Sequence, residues 1–477
     1  MFSLPHKPAL ITLSASAFIV MLANSILTLA LPSLGEDLRA SALQLNWMVE
    51  AYPLFFAGLL LTFGSLSDRF GRKKILLLGL AFFIIASIVA AFAHSPETII
   101  ILRGVSGVGG AMIMPSTLSI INAIYNKEFR IKAIAFWSAI SGIGTLAGSL
   151  IGGAIITYSS WENAFLLQAI LGIIVFIISL FTLHESSSST PKPLDFWGYS
   201  LSFAGIALII FSVMNFSSQE LWLAIVEFTC GLGLFLAWFL IEKNHPHPSF
   251  NVLLFKDKKF FVGSVALALA FFAVNSLLFL LSQLFQSVYN LTALSAALLT
   301  VVIVVPLVIV APLSAVLIKR YGERITLIVG VTLMIVGFVL SSLWKYNTPI
   351  WVISLCLVVL LSGMVLMMNP ATNMLLDSVP QSESGMASAM NDLTRELGGA
   401  LGIAVLGSIV SAVFSHKVGS QESLSSLVAS SSSELHISIV SAWVESFTIA
   451  MWLGAGLSFG ILCFVFLFLK EKRKNVR

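Results

Sequence analysis

Fourteen apolar stretches, each about as long as a lipid bilayer's hydrocarbon core is thick, occupy most of this 477-residue chain. They run over 9–32, 45–67, 75–93, 97–124, 131–158, 162–183, 196–214, 219–242, 259–288, 293–318, 325–344, 349–376, 384–413 and 438–469. A core of ~30 Å needs ~20 apolar residues in a helix. The helix is required because hydrocarbon offers no partner for a free N–H or C=O. A transmembrane β-barrel would show alternating segments of ~10 residues, and the chain has none. Hydrophobic residues make up 58% and charged residues 10%, against about 25% charged in a soluble domain. The first stretch is too long for a signal peptide and reads as a retained helix.

The charges sit between the stretches, which argues against nucleic acid as the reason for the net +4. With the N-terminus inside, the inside segments hold 21 Lys and Arg, among them Arg69, Arg72, Lys73, Lys74, Lys127 and Arg130. The outside loops hold Arg39, Lys345 and Lys417. Inside loops are expected to be the basic ones, so both termini are expected in the cytoplasm. The three cysteines lie inside apolar runs and show neither a disulfide framework nor metal-ligand spacing. No G-x-x-x-x-G-K-[ST] string occurs, so ATP is not expected to drive the machine. No cofactor or metal is expected, and no nucleophile–base arrangement suggests an enzyme.

The polar stretch His184 to Lys192 reads as a flexible connector. The serine-rich Ser415 to Ile437 reads as the largest external loop. Leu313 to Arg324 weakly echoes Gly64 to Lys74: each follows an apolar helix and ends in a basic turn containing Gly. Duplicated halves are common in transporters. The expected division is therefore a six-helix bundle over 1–184, a linker over 185–192 and an inserted helix pair over 193–245. A second six-helix bundle with a basic tail then fills 246–477.

Several strings carry a family resemblance. Gly64-Ser-Leu-Ser-Asp68-Arg69-Phe-Gly71-Arg72-Lys73-Lys74 resembles the loop between helices two and three of the major facilitator superfamily. Trp47-Met-Val-Glu50-Ala-Tyr52 fits the start of the same second helix. Leu102-Arg103-Gly-Val-Ser-Gly107 with Met114-Pro115-Ser116 resembles the superfamily's fourth helix. Gly144-Thr-Leu-Ala-Gly148-Ser149-Leu-Ile-Gly152-Gly153 resembles the fifth-helix antiporter motif, with Ser149 where Pro is usual. Leu397 to Gly407 fits the next-to-last helix of the fourteen-helix drug:proton antiporter branch. The resemblance implies an all-α membrane protein with the major facilitator fold: two six-helix bundles plus two additional helices. It further implies a monomeric, multi-pass protein of a bacterial-type inner membrane that exports lipophilic drugs in exchange for protons.

Individual residues follow from both lines of reasoning. Gly64, Asp68, Arg69, Gly71 and Arg72 have the make-up of a latch: an acid at a helix end, basic partners, and glycines that allow close approach. The alternative is a positive-inside topology signal alone. Gly144, Gly148 and Gly152 line one helix face and admit another backbone, and Gly153 closes the same motif. An antiporter hinge and plain packing are both compatible with that spacing. Arg103 lies about six residues inside its span, where a charge is expensive unless it faces a partner or cavity. The alternative is snorkelling to the outer surface. Asp392 and Glu396 are four apart and share a face of the thirteenth span. Two close carboxylates in a low dielectric do not both ionise easily, which suits proton coupling. The alternative is a structural cluster neutralised by Arg395 or Arg103.

Glu50 is either a third coupling acid or an interfacial carboxylate in an aromatic belt. Asn24, Trp47, Tyr52, Gln283, Gln286 and Asn391 are candidates for lining a substrate cavity. The branch usually carries an Asp where this chain has Ala23. That change argues for neutral or weakly charged substrates over divalent cations. Protons, small lipophilic drugs and membrane lipids are the expected partners. The rival readings are a transporter of a physiological solute, such as a lipid precursor, peptide or siderophore, and a non-transporting receptor or assembly protein.

Overall fold

The structure is a computed structural model. It describes residues 6–40, 42–187, 195–214, 221–245, 248, 250–285, 289, 291, 299, 306–419, 424 and 433–469. Among these, thirteen helices are long and apolar enough to cross a membrane. They are α1 (Lys7–Asp37), α2 (Ala42–Phe70), α3 (Arg72–Ala90), α4 (Pro96–Ile124), α5 (Lys127–Tyr158), α6 (Glu162–Thr182) and α7 (Phe196–Met214). After these come α8 (Leu221–Asn244), α9 (Lys258–Gln283), α10 (Ala311–Ser341), α11 (Ile350–Asp377), α12 (Ser384–Val418) and α13 (Ser433–Phe468).

The helix ends follow local chemistry. Ser95 caps α4 by accepting the Thr98 N–H, and Pro96 occupies the first turn, where its missing N–H loses nothing. Asn126 caps α5 through the Phe129 N–H. Inside α10, Gly322 adopts φ 86°, ψ 168°, which breaks the helical path. Left-handed φ is cheap only for glycine. The run therefore has two arms, 311–321 and 323–341, which correspond to the tenth and eleventh apolar stretches of the sequence. Most of the start of the tenth stretch, 292–298 and 300–305, lies outside the described residues.

Two compact units emerge: Met1–Asp257 with Leu375–Leu393, and Lys258–Met374 with Thr394–Arg477. Helices α11 and α12 thus each contribute residues to both units. Within the first unit, α1 and α5 meet along the glycine row. A methyl on Gly144 would lie 2.6 Å from the Phe18 carbonyl oxygen, and one on Gly148 2.5 Å from that of Leu22. Only hydrogen fits at these points. The inserted pair α7–α8 packs on α2. Trp47 stacks obliquely on Phe211 with centroids 5.5 Å apart, Phe55 meets Phe203 at 6.0 Å, and the Ser65 and Tyr199 hydroxyls share a hydrogen bond of 3.0 Å.

The second unit uses the same device. Gly398 and Gly402 on α12 face the Ala268 and Phe272 carbonyls of α9, 2.3 Å and 2.2 Å from where a Cβ would stand. Gly330 and Gly363 bring α10 and α11 together in the same way. Such contacts suit lipid, where no hydrophobic force draws helices together and association depends on close packing.

Candidate functional site

The longest-range polar assembly in the first unit is built around Asp68, in the last turn of α2. Its Oδ1 accepts from Arg72 Nε at 3.1 Å and Arg72 Nη2 at 2.8 Å. Both oxygens also accept the Gly385 N–H at 2.9 Å, and Oδ2 accepts the Met386 N–H at 3.2 Å. Gly385 and Met386 open α12, where first-turn N–H groups lack intrahelical acceptors and carry the positive end of the helix dipole. Asp68 is thus a charged cap supplied from another helix. Arg72 is 2% exposed and also donates to the Gln381 carbonyl at 2.8 Å, so one guanidinium spans both strands of the junction. A methyl on Gly64 would sit 2.4 Å from Ala389 Cβ, and one on Gly385 2.3 Å from the Gly64 oxygen. Those two glycines let the helices approach closely enough for the carboxylate to reach.

Further bonds widen this clasp. Ser119 and Ser384 hydroxyls lie 2.8 Å apart, and Gln381 Nε2 donates to the Ala123 carbonyl at 3.0 Å. Asp377, at the end of α11, takes an ion pair from Arg130 and another from Lys127 at 2.7 Å. Arg130 is braced by Asn122 Oδ1 at 2.6 Å. The structure brings the sequence candidates Gly64, Asp68 and Arg72 together with Asp377, Gln381, Ser384 and Gly385, which the sequence reading did not single out. A lone carboxylate at the end of an apolar span, Asp377, was the available signal. Arg69 is half-buried, with its guanidinium 5.4 Å from the Phe70 ring centroid.

Arg103 is 2% exposed. Its Nε donates to the Met48 carbonyl at 3.1 Å and its guanidinium lies 4.6 Å from the Tyr52 ring centroid. The side chain is therefore turned onto α2 and does not snorkel. Tyr52 is itself 2% exposed and stacks on Phe56, and Glu50, two residues before Tyr52 on α2, is buried. Tyr52 and Arg103 thus meet across the α2–α4 seam. Trp47 belongs to that helix too, but its ring is spent on Phe211 of the inserted pair.

On α12, Asp392 is 3% exposed and accepts from Asn391 Nδ2 at 3.1 Å. Asn391 is fully buried. Glu396 is half-buried one turn on. Arg395 lies 4.4 Å from the Phe271 ring centroid. Asp392 is withdrawn from the surface, whereas part of Glu396 stays accessible. On α5, Gly144, Gly148 and Gly152 face α1; Gly153 is half-buried beside them, and Ser149 returns its hydroxyl to the Thr145 carbonyl at 3.4 Å. Asn24 is exposed on α1 and Gln283 is half-buried at the end of α9. Gln286 lies outside the described residues.

The model of the Major Facilitator Superfamily matches residues 13–403. The chain belongs to the Major Facilitator Superfamily. It is a multi-pass inner-membrane transporter and not an enzyme, in line with its relatives. It is 31% identical over 416 residues to the multidrug efflux pump LfrA of Mycolicibacterium smegmatis, covering 86% of this chain and 82% of that protein. It is 28% identical over 400 residues to the riboflavin transporter RibZ of Clostridioides difficile, covering 84% and 87%. Among solved structures, the proton:xylose symporter XylE superposes with a TM-score of 0.66 at 14% identity, covering 98% of this chain and 96% of that one. That last likeness concerns the fold alone.

Proposed function

We propose that this superfamily member exports small lipophilic compounds in exchange for protons, with both termini in the cytoplasm. The observation that carries the reading is a single helix with two roles. Helix α12 starts in the Asp68 clasp at Gly385 and carries the buried Asp392 seven residues later. At 1.5 Å per residue that is about 10 Å along one rigid rod. A charge change at Asp392 or Glu396 therefore acts on the element whose N-terminus Asp68 holds.

In this mechanism a proton taken up from outside neutralises the Asp392/Glu396 pair. Neutralisation lowers the penalty for burying the pair and favours release of the clasp and return of the pocket to the cytoplasmic face. Substrate from the cytoplasm or inner leaflet then displaces the proton. Arg103 on α4 and Glu50 on α2 assist, as charges held away from water. The driving force is adequate: about 2.3 kcal/mol per charge per 100 mV, plus ~1.4 kcal/mol per pH unit. The efflux relative LfrA supports drugs as the substrate class, and Ala23 supports compounds with little charge.

An accumulation assay with neutral and cationic drugs, with and without a protonophore, tests this reading. Protonophore-sensitive exclusion of the lipophilic members is the expected outcome; equal accumulation in cells with and without the protein contradicts it. The second reading, export or uptake of a physiological solute, is favoured by the RibZ likeness. Transport of riboflavin but of no drug in the same panel would select it.

A further inference from the structure

The stretch that follows α6 reads as a loose connector in the sequence, yet its first residues are fastened to the clasp. The Glu185 carboxylate accepts the N–H of Lys73 through Oε1 and of Lys74 through Oε2, both at 3.1 Å. The Arg72 N–H donates to the Ser186 carbonyl at 2.9 Å. These three N–H groups open α3, where no intrahelical acceptor exists. A carboxylate there also meets the favourable end of the helix dipole. Lys73 completes the exchange from the other side: its Nζ donates to the Leu180 and Leu183 carbonyls at 2.8 Å and 2.7 Å, in the last turn of α6 and just beyond it. Opposite charges thus cap opposite ends of two helices. Gly71 sits at the centre with φ 111°, and a methyl there would lie 2.6 Å from Glu185 Cδ. Both its backbone angle and the incoming carboxylate demand glycine.

The consequence falls on Arg72. It is the first residue of α3, and its guanidinium must reach Asp68 and Gln381 at once. We infer that Glu185 is a positioning residue: by capping α3 it fixes where Arg72 starts, and so sets how readily the Asp68 clasp closes on α12. The connector leading to the inserted helices becomes a control point for the clasp. This inference rests on the clasp reading above, and it assigns Glu185 no contact with substrate or proton.

The test uses the neighbouring Ser119 and Ser384 hydroxyls as a closure gauge. Both are replaced by cysteine in the full-length protein, with Cys230, Cys356 and Cys463 changed to serine, and disulfide formation is timed in native membranes. Side chains this close suit an S–S bond of ~2.05 Å. Asp68→Asn is expected to slow cross-linking strongly. Glu185→Ala is expected to slow it roughly threefold to tenfold, the range for losing an ordinary, solvent-exposed hydrogen bond. Glu185→Gln, which keeps an acceptor oxygen and the volume, is expected to slow it less and serves if the alanine variant does not accumulate. Combining Glu185→Ala with Asp68→Asn should add nothing, because both act through one clasp. If Asp68→Asn slows closure while both Glu185 variants match the parent, the positioning role is overturned and the clasp stands. A multiplicative loss in the double variant also overturns it, since that marks an independent structural effect. If Asp68→Asn itself changes nothing, the clasp reading fails first.

Discussion

The Asp68 carboxylate receives the Gly385 N–H on both of its oxygens, at 2.9 Å each, across 317 residues of sequence. An acid from α2 therefore caps α12, and Arg72 holds the acid in place. Asp68→Asn keeps the size and one acceptor oxygen but removes the charge that pairs with Arg72. Charge-assisted bonds of this kind are worth about 1.5–3 kcal/mol each. The variant is expected to lose at least about tenfold in efflux rate while still reaching the membrane. Dye efflux from energised cells, normalised to protein level, checks this.

Backbone approach makes a separate prediction. A methyl on Gly385 would stand 2.3 Å from the Gly64 oxygen and 2.4 Å from Ser67 Oγ. Gly385→Ala should therefore push α12 away from Asp68, with an overpacking penalty of about 1–3 kcal/mol. It should copy the Asp68→Asn phenotype without touching a charge. Efflux and melting temperature in detergent, measured together, read both effects.

Asp377 joins Lys127 and Arg130 at the end of α11. Arg130 and Asp377 side chains are 11% and 12% exposed, whereas Lys127 is 69% exposed. Asp377→Asn strands the buried guanidinium and should destabilise the protein by about 3 kcal/mol. Lys127→Ala should cost under ~1 kcal/mol, as surface pairs do. Chemical denaturation of the two purified variants tests the ordering.

The membrane-spanning helices were legible because hydrocarbon thickness dictates length, and Asp68 was legible because its string is distinctive. Its partner was not, since a backbone N–H leaves no mark in a sequence. The cost of burying Arg103 announced that it needs company, but only coordinates supply Met48 and Tyr52. The Trp47 ring packs on Phe211 of the inserted pair, a partner the sequence does not name. Apolar periodicity does not say which of two apolar neighbours an aromatic ring will choose. Gly322 looked like one glycine in a basic turn, and its left-handed backbone turns out to divide α10. Glu185 appeared to belong to a pliant serine-rich linker because composition reports average polarity and not specific caps.

The glycine row on α5 gives a prediction independent of the clasp. Gly148→Val would put a branched side chain where a single Cβ already lies 2.5 Å from the Leu22 carbonyl and 2.9 Å from Ser25 Cβ. Helices α1 and α5 should separate, and transport should fall by more than about tenfold, with a stability loss of about 1–3 kcal/mol. Gly153→Ala, beside the row, should retain most activity. Transport by the two variants at matched protein levels separates the row from its neighbour.

The central claim is that Asp392 and Glu396 exchange a proton for substrate. Its most direct test is proton movement in proteoliposomes enclosing a pH-sensitive dye, started by adding a transported drug. The account predicts substrate-driven proton flux in the parent protein and its loss in the Asp392→Asn, Glu396→Gln double variant at matched protein levels. Undiminished coupled flux in that double variant would contradict the account.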